Sequence, residues 1–134
     1  MTEQQNYSIE QYPEQVALVR LGPGAPMPAW AESSSIFSVA ATATHTTVVC
    51  AARNVPTKAR HIRSYTAFAV RGEIGVEDAG VLVRVLAPLA DAGIAVVPVA
   101  TFDEPWVLVP QKSADAAAEA WRGQGHTVAP AVPA

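Results

Sequence analysis

The sequence predicts an α+β protein whose second half follows the order β-α-β-β-α-β. The first half carries short β-branched segments, and the second half carries two segments whose apolar residues recur every three or four positions. The chain has 134 residues, of which 50% are hydrophobic and 16% are charged. This length accommodates one ordinary domain or two very small units that share one core. The hydrophobic content excludes a chain that is disordered throughout.

The first half is predicted to be mainly β. Residues 1–14 are polar and are predicted to form a tail or a capping segment. Segment 22–31 holds three prolines and two glycines, which argues against a helix there. Segment 52–60 is interpreted as a loop or a broken helix. Strands are predicted at "VALVRL" (16–21), "SIFSVAAT" (35–42) and "TTVVCA" (46–51).

A helix is predicted within 76–93, where the apolar spacing changes to threes and fours. Asp78 is predicted as its N-cap and Gly93 as the residue that stops it. Arg84 and Asp91 are expected on the face opposite the apolar one. The positions predicted to be apolar and buried are Val81, Leu82, Val85, Leu86 and Leu89.

A second, alanine-rich helix is predicted at "SADAAAEAWRGQGH" (113–126), with Ser113 as its cap and Gly123 or Gly125 as its end. Pro98 argues that the strand containing it lies at a sheet edge. The strands predicted in this half are 63–72, 94–101, 106–110 and 127–132.

That order over 63–132 is the ferredoxin-like arrangement, in which the second strand normally lies at an edge, where Pro98 can be tolerated. The first half supplies three strands without clear helices. It is interpreted as a degraded version of the same unit.

Composition argues against several classes of function. The net charge is −3, and the densest basic cluster has no interleaved aromatic residues, so nucleic-acid binding has weak support. That cluster consists of Arg53, Lys58, Arg60 and Arg63. No uncharged apolar run reaches the length of about 18 residues that a membrane span needs, and the polar start is unlike a signal peptide. The single cysteine, Cys50, cannot form an internal disulfide, which favours a cytoplasmic location.

Three segments resemble the small bacterial tandem ACT-domain proteins, which are related to the ACT modules of aspartate kinases and to eukaryotic cytosolic arginine sensors. The resemblance covers about 15–128, and its most specific part is 79–109. The segments that carry it are "VALVRLGPGAPMPAWA", "FSVAATATHTTVVC" and "AGVLVRVLAPLADAGIAVVPVATFDEPWVLV".

The resemblance implies two ACT-like subdomains side by side, with a free amino acid bound between them, in a regulatory protein rather than a catalyst. It also implies a homodimer, since ACT sheets commonly pair edge to edge. The boundaries that follow are a polar N-terminal segment (1–14), a degenerate, helix-poor subdomain (15–62), a βαββαβ subdomain (63–129) and a C-terminal tail (130–134).

The expected ligand is a zwitterion, which needs two opposite charges close together. The free backbone N–H groups of Ala79, Gly80 and Val81, at the start of the helix that Asp78 caps, offer a site for its carboxylate. Because Gly80 lacks a Cβ, a ligand can come close to the backbone. The residues expected to bind the ammonium group or to lie beside it are Thr101, Phe102, Asp103, Glu104 and, in the first half, His45.

The sequence departs from the family pattern at several positions on this ligand side. Ala100 replaces a serine, Pro105 replaces an acid, and Ala79 replaces the threonine that leads the helix. An acidic stretch of the first half is replaced by residues 43–45. Each change removes a polar group, so the ligand's identity stays open.

Two other functions compete with the amino-acid sensor. The first is a protein-interaction module whose ligand site has decayed. The second is an enzyme of a specialised pathway that uses Asp103, Glu104 or His45 as a general acid or base. Neither a cofactor nor a metal is predicted, because His45, His61 and His126 lack metal-ligand spacing. Cys50 is interpreted as a small buried hydrophobe.

Overall fold

A computed structural model describes residues 6–72 and 80–131. Within these ranges the chain forms strands and two α-helices, and the predicted α+β class is confirmed. None of the described helices is long and apolar enough to cross a membrane. In chain order the elements are β1 (Ser8–Leu21), β2 (Ser38–Ala41), β3 (Thr46–Ala51), β4 (Arg60–Arg71), α1 (Val81–Asp91), β5 (Val97–Ala100), β6 (Pro105–Pro110), α2 (Ala114–Gly123) and β7 (Thr127–Pro130).

The chain divides into two compact units. Unit A comprises Met1–Pro13 and Thr66–Ala134, and unit B comprises Glu14–Tyr65. Strands β1 and β4 contribute residues to both units, because both unit boundaries fall inside these strands. Residues 1–14 were predicted to form a tail or a capping segment, and the tail is wrong for residues 8–14, which belong to β1.

The sheet of unit A has the strand order β7-β1-β4-β6-β5. Strands β1 and β7 are parallel, with Ser8 opposite Thr127, and β5 and β6 are antiparallel, with Val97 opposite Leu108. The chain order from β4 to β7 is the predicted β-α-β-β-α-β, and β5, which contains Pro98, lies at the end of the strand order. The start of β1 is inserted between β4 and β7, which the sequence pattern did not predict.

The core of unit A lies where the two helices pack together over the sheet. Trp121 and Phe68 are fully buried and meet edge to face, with ring centroids 4.9 Å apart. The indole N–H of Trp121 donates to the carbonyl of Val85 at 2.8 Å, which ties α2 to α1. Tyr7 and Ile9 belong to the same core. Their burial explains why a largely polar segment is held as a strand rather than left as a tail.

Both helices end in Schellman motifs. After α1, Gly93 has φ +75° and donates to the carbonyl of Ala90, while Ile94 donates to the carbonyl of Leu89. Helix α2 ends in the same pattern, with Gly125 at φ +93°. Each helix therefore ends where a glycine supplies the left-handed conformation that the motif requires. The prediction of Gly93 as the stop is confirmed, and for α2 the structure selects the second of the two glycines.

The start of α1 differs from the prediction. The cap position is held by Gly80, at φ +81°, and not by Asp78, which lies outside the described residues. Helix α1 begins at Val81, so its first turn lies two residues later than expected. Its buried positions are Val81, Val85 and Leu89, with Leu86 partly buried. Leu82 is 47% exposed, so its predicted place in the core is wrong.

Unit B contains no α-helix, and all of its residues are described. Strand β3 pairs with β1 and with β2, both antiparallel, with Val48 opposite Val19 in one pair and opposite Val39 in the other. Short 3-10 turns lie at Ala29–Ala31 and Ala52–Asn54. The predicted β character of the first half is confirmed. The core of this unit consists of Ala17, Val19, Ala31, Val48, Cys50, Ala52 and Val55.

Candidate functional site

The hairpin between β5 and β6 carries four of the predicted site residues. The Thr101 hydroxyl donates to the carbonyl of Glu104 at 2.5 Å and accepts the N–H of Glu104 at 3.2 Å. These bonds close the turn, as serine and threonine hydroxyls often do. Phe102 is 87% exposed and Asp103 is also exposed. The hairpin therefore presents Phe102 and Asp103 to the outside, while Thr101 stabilises its geometry.

The carboxylate of Glu104 is bound inside unit A by Arg71. Nη1 of Arg71 donates to Oε1 of Glu104, Nη2 donates to the hydroxyl of Tyr12, and Nε lies 3.2 Å from Oε1 of Glu10. The guanidinium carbon lies 5.9 Å from the ring centroids of both Tyr12 and Trp106. One arginine thus engages three polar partners and two aromatic faces, which suits the planar fork of its guanidinium.

This cluster fixes where the hairpin lies in unit A. Arg71 is the last residue of β4, and Glu104 immediately precedes β6. Their contact therefore puts the C-terminal end of β4 beside the β5–β6 hairpin. The Glu104 side chain is only 16% exposed and already has a cationic partner. Asp103 is the exposed acid of the pair and the one open to an external cation.

The first turn of α1 carries an arginine that sequence reasoning assigned to the face opposite the apolar one. Nε and Nη2 of Arg84 donate to the hydroxyl of Tyr7 at 3.0 and 2.7 Å, and the guanidinium carbon lies 5.7 Å from the Tyr7 ring centroid. Nη1 of Arg84 lies 3.0 Å from the place that a Cβ on Gly80 would occupy. The guanidinium therefore lies over the N-terminal end of the helix, where it adds positive charge to the free N–H groups.

Tyr7 also links this helix to the last strand of unit A. Its backbone N–H donates to Nδ1 of His126 at 3.0 Å, and the two rings stack with centroids 5.4 Å apart. His126 is 4% exposed, and burial lowers the pKa of its imidazole; a hydrogen bond with the backbone of Arg84 opposes this shift, and the positive charge of Arg84 adds to it. An Nδ1 that accepts a hydrogen bond carries no proton, so this geometry requires the neutral form of His126.

The other predicted site residues are not brought together with the hairpin by any described contact. His45 lies in unit B, in the turn between β2 and β3, where its Nδ1 is 3.0 Å from the hydroxyl of Thr44. Asp78 and Ala79 lie outside the described residues. Val81 is 6% exposed and belongs to the core. The ligand roles of these residues stay predictions.

Metal and thiol chemistry find no support in the described part of the chain. No group of three or more His, Cys, Asp or Glu side chains within 6–72 and 80–131 is arranged to hold a metal ion. Cys50 is fully buried, and burial raises the pKa of its thiol, so the reactive thiolate is disfavoured. These findings agree with the interpretation of Cys50 as a small hydrophobe.

Sequence reasoning missed Arg71, Tyr12 and Arg84. A signal for Arg84 was available, because a residue four positions after a helix-capping glycine lies above it on the same face. Arg71 carried a weaker signal as a charged residue that ends an otherwise apolar strand. Tyr12 was hidden inside the segment interpreted as a polar tail.

Comparison with known proteins gives a family match for part of the chain. Residues 60–122 match the family model of the ACT domain, which confirms the suspected family for this segment. No curated protein sequence matches the chain.

Several solved structures share the fold. A protein from Agobacterium tumefaciens superposes with a TM-score of 0.90 at 22% identity, over 97% of each chain. Aspartate kinase from Synechocystis gives 0.70 at 16% identity, over 95% of this chain and 28% of the kinase. The regulatory subunit of aspartate kinase from Thermus flavus gives 0.61 at 9% identity, over 89% and 96%. At these identities the likeness shows an ACT-like fold.

Proposed function

We propose that this chain, whose residues 60–122 belong to the ACT-domain family, is a regulatory protein without catalytic activity that binds a free amino acid. ACT domains generally bind small ligands for regulation, and one of the similar structures is itself a regulatory subunit of aspartate kinase. The fold neighbours support the regulatory class. Beyond this regulatory class, we propose that the ligand is a free amino acid and that the protein catalyses no reaction.

One observation supports this proposal: unit A holds groups of opposite charge, on the hairpin beside the end of β4 and in the first turn of α1. The contact of Arg71 with Glu104 brings the hairpin beside that end, and after residues 72–79 the chain continues into α1. The first turn of α1, with the guanidinium of Arg84 above Gly80, supplies the complement to a carboxylate. Asp103 supplies the complement to an ammonium group.

We further propose that the two units correspond to two ACT-like subdomains and that the protein acts as a cytoplasmic homodimer. Unit B, which holds β2, β3 and parts of β1 and β4 but no α-helix, would be the degenerate member. The division into two compact units supports this assignment. In this proposal the protein exists in two packing states, and the ligand binds one of them more tightly. Binding would then shift the equilibrium toward that state and produce the regulatory response.

A thermal-shift screen with the common amino acids tests the proposal. A ligand present at about 100 times its Kd should stabilise the protein by about 2.7 kcal/mol. Asp103→Asn should lose this shift while it still folds, and Asp91→Asn, which also neutralises an exposed acid of unit A, should keep it. Equal thermal shifts in both variants would show that Asp103 does not bind the ligand. The absence of a shift with every amino acid would refute the sensor.

A protein-interaction module is the second candidate, favoured by two observations. Phe102 is 87% exposed at the hairpin tip, as an anchor for a partner would be, and Glu104 is already neutralised by Arg71. This function predicts a bound protein that is lost in Phe102→Ser but retained in Met27→Ser, a change at another exposed apolar residue, which lies in unit B. Retention of the protein by Phe102→Ser would argue against it.

A further inference from the structure

The edge strands of this chain differ in the backbone groups that they present. Strands β2, β5 and β7 each pair with one neighbour in the described residues, and each pairs on one side only. All three are four residues long, so length does not distinguish them. Along such a strand, alternate residues point their N–H and C=O groups away from the sheet, where they form a template for a further strand.

The two edge strands of unit A each lack an outward donor. On β5, the N–H of Thr101 donates to the carbonyl of Glu104, and this alternation puts Pro98 at an outward position. On β7, the N–H of Ala131 donates to β1, which puts Pro130 at an outward position. Because proline has no N–H, both strands are poor templates for another strand.

Strand β2 of unit B keeps its outward donors and acceptors. The N–H of Thr42 donates to the carbonyl of His45 on the side of β3, so the alternation directs the backbone groups of Val39 and Ala41 outward. Neither residue is a proline. Charged residues commonly protect a sheet edge, but the sequence from 33 to 52 contains no Asp, Glu, Lys or Arg. This edge is therefore chemically open to strand pairing.

The apolar face of unit B also continues to this edge. Val39 lies opposite Val48, which lies opposite Val19, so the three side chains share one face of the sheet. Val19 and Val48 are buried in the core, whereas Val39 is 36% exposed and Ala41 is also exposed. The core face of unit B is thus uncovered at β2.

We propose that β2 pairs with β2 of a second copy, antiparallel and about a twofold axis. An antiparallel edge is complementary to itself, because each outward residue offers one donor and one acceptor to the outward residue that it meets. The register centred on Val39 places Val39 against the partner's Val39 and Phe37 against the partner's Ala41. The two exposed valine side chains then cover each other.

A second copy suits this edge because β2 itself has the properties that an incoming strand needs. Such a strand must be uncharged, must carry apolar residues at alternate positions and must leave room beside small side chains. Phe37, Val39 and Ala41 alternate in this way, and Ala40 lies between the last two. The inference rests on the homodimer of the proposed function, for which it names the contact, and it does not depend on the amino-acid ligand.

Sedimentation of the full chain over a range of concentrations tests the proposal. The mass should rise to that of a dimer, and the Kd should change less than about threefold between about 50 mM and about 500 mM salt, since no charged residue takes part. A dimer that dissociates as salt screens its charges would contradict this contact.

Charges placed at the twofold axis locate the contact. Val39→Lys should raise the Kd by about tenfold or more, because two like charges would lie directly opposite each other. Val39→Glu should have the same effect alone, and an equimolar mixture of the two variants should associate again. Met27→Lys adds the same charge at another exposed apolar residue of unit B and should leave the Kd unchanged.

Proline substitutions test the backbone groups. Ala41→Pro removes an outward N–H of β2 and no bond to β3, so it should raise the Kd by about tenfold or more. Ala100→Pro removes an outward N–H of β5 and is the matched control, which should leave the Kd unchanged. Circular dichroism checks that each variant is folded.

Three further results would overturn the pairing of β2. A chain that stays monomeric would leave this edge to a strand of a different protein. A dimer that is unchanged in both Val39→Lys and Ala41→Pro would keep the proposed homodimer but assign it to another surface. A mixture of Val39→Lys and Val39→Glu that stays monomeric would show that the two side chains do not meet. The thermal-shift screen with amino acids tests the proposed ligand site separately.

Discussion

At the scale of single residues, Arg71 joins several parts of unit A. Its guanidinium engages Glu104, Tyr12 and Glu10 through three different nitrogens and lies beside the Trp106 ring. A lysine ammonium could not reproduce this planar, multidentate arrangement. Arg71 thus holds the β5–β6 hairpin, which contains Asp103, against strands β1 and β4.

We expect Arg71→Lys to destabilise the protein by about 1–2 kcal/mol and to increase hydrogen exchange in the β5–β6 hairpin, because the half-buried acids lose matched donors. Arg122→Lys is the control, since the pair of Arg122 with Glu119 is largely exposed. It should cost less than about 0.5 kcal/mol. Chemical denaturation with exchange mass spectrometry measures both. Unchanged exchange in the hairpin of Arg71→Lys would show that other contacts hold it.

His126 gives a prediction about pH. Its pKa is lowered from 6.5 in the folded protein, so the unfolded chain binds a proton more readily. Stability should therefore be greatest above pH 6.5 and should fall as the pH decreases below that value. Denaturation midpoints between pH 8 and pH 5 should show this slope, and His126→Gln should reduce it. His45→Gln, which makes the same substitution in unit B, is the control variant.

At the scale of elements, the helix ends were predictable and the helix start was not. Gly93 and Gly125 are local signals, because a left-handed residue after a helix is costly for any residue with a Cβ. The start of α1 has no such unique signal: both Asp78 and Gly80 suit a cap. The early part of β1 was missed because its polar residues hid the alternation of Tyr7 and Ile9, whose burial becomes visible only in the fold.

The two glycines near the end of α2 make a matched pair for testing the Schellman motif. Gly125→Ala should destabilise by about 1–2 kcal/mol, since φ +93° is strained for alanine. Gly123→Ala, inside the helix with open space around its Cα, should stabilise by about 0.5–1 kcal/mol. Thermal unfolding of both variants gives the sign of each change. The same sign in both would contradict the structural assignment of the helix end.

At the scale of the whole molecule, the ACT-domain match of residues 60–122 and the βαββαβ order followed from resemblance and sequence pattern, but the contacts of the candidate site did not. Periodicity specifies which faces are apolar, and it carries no information about which distant strands become neighbours. The contact of Arg71 with Glu104 spans 33 positions, and that of Arg84 with Tyr7 spans 77. Such pairs depend on the strand order, including the position of β1 between β4 and β7, which no local sequence signal predicts.

The insertion of β1 predicts that the matched family segment is not an independent folding unit in this protein. A chain that starts at Glu14 should lose cooperative unfolding, because it lacks Tyr7 and Ile9 from the core and the strand between β4 and β7. A chain that starts at Asn6 is the reference and should unfold cooperatively. Near-ultraviolet circular dichroism and calorimetry compare the two. Equal transitions in both chains would mean that the start of β1 contributes no stability.

The burial of Cys50 makes it possible to measure the local opening of unit B by thiol labelling. It is the only cysteine of the chain and it is fully buried in unit B, with a thiol whose pKa is raised by burial. A thiol reagent can react with Cys50 only when unit B opens. The rate of alkylation therefore reports how often unit B opens. The natural sequence thus carries a single-site chemical reporter on unit B and none on unit A, and ligand-dependent changes in labelling rate would reveal whether events in one unit reach the other.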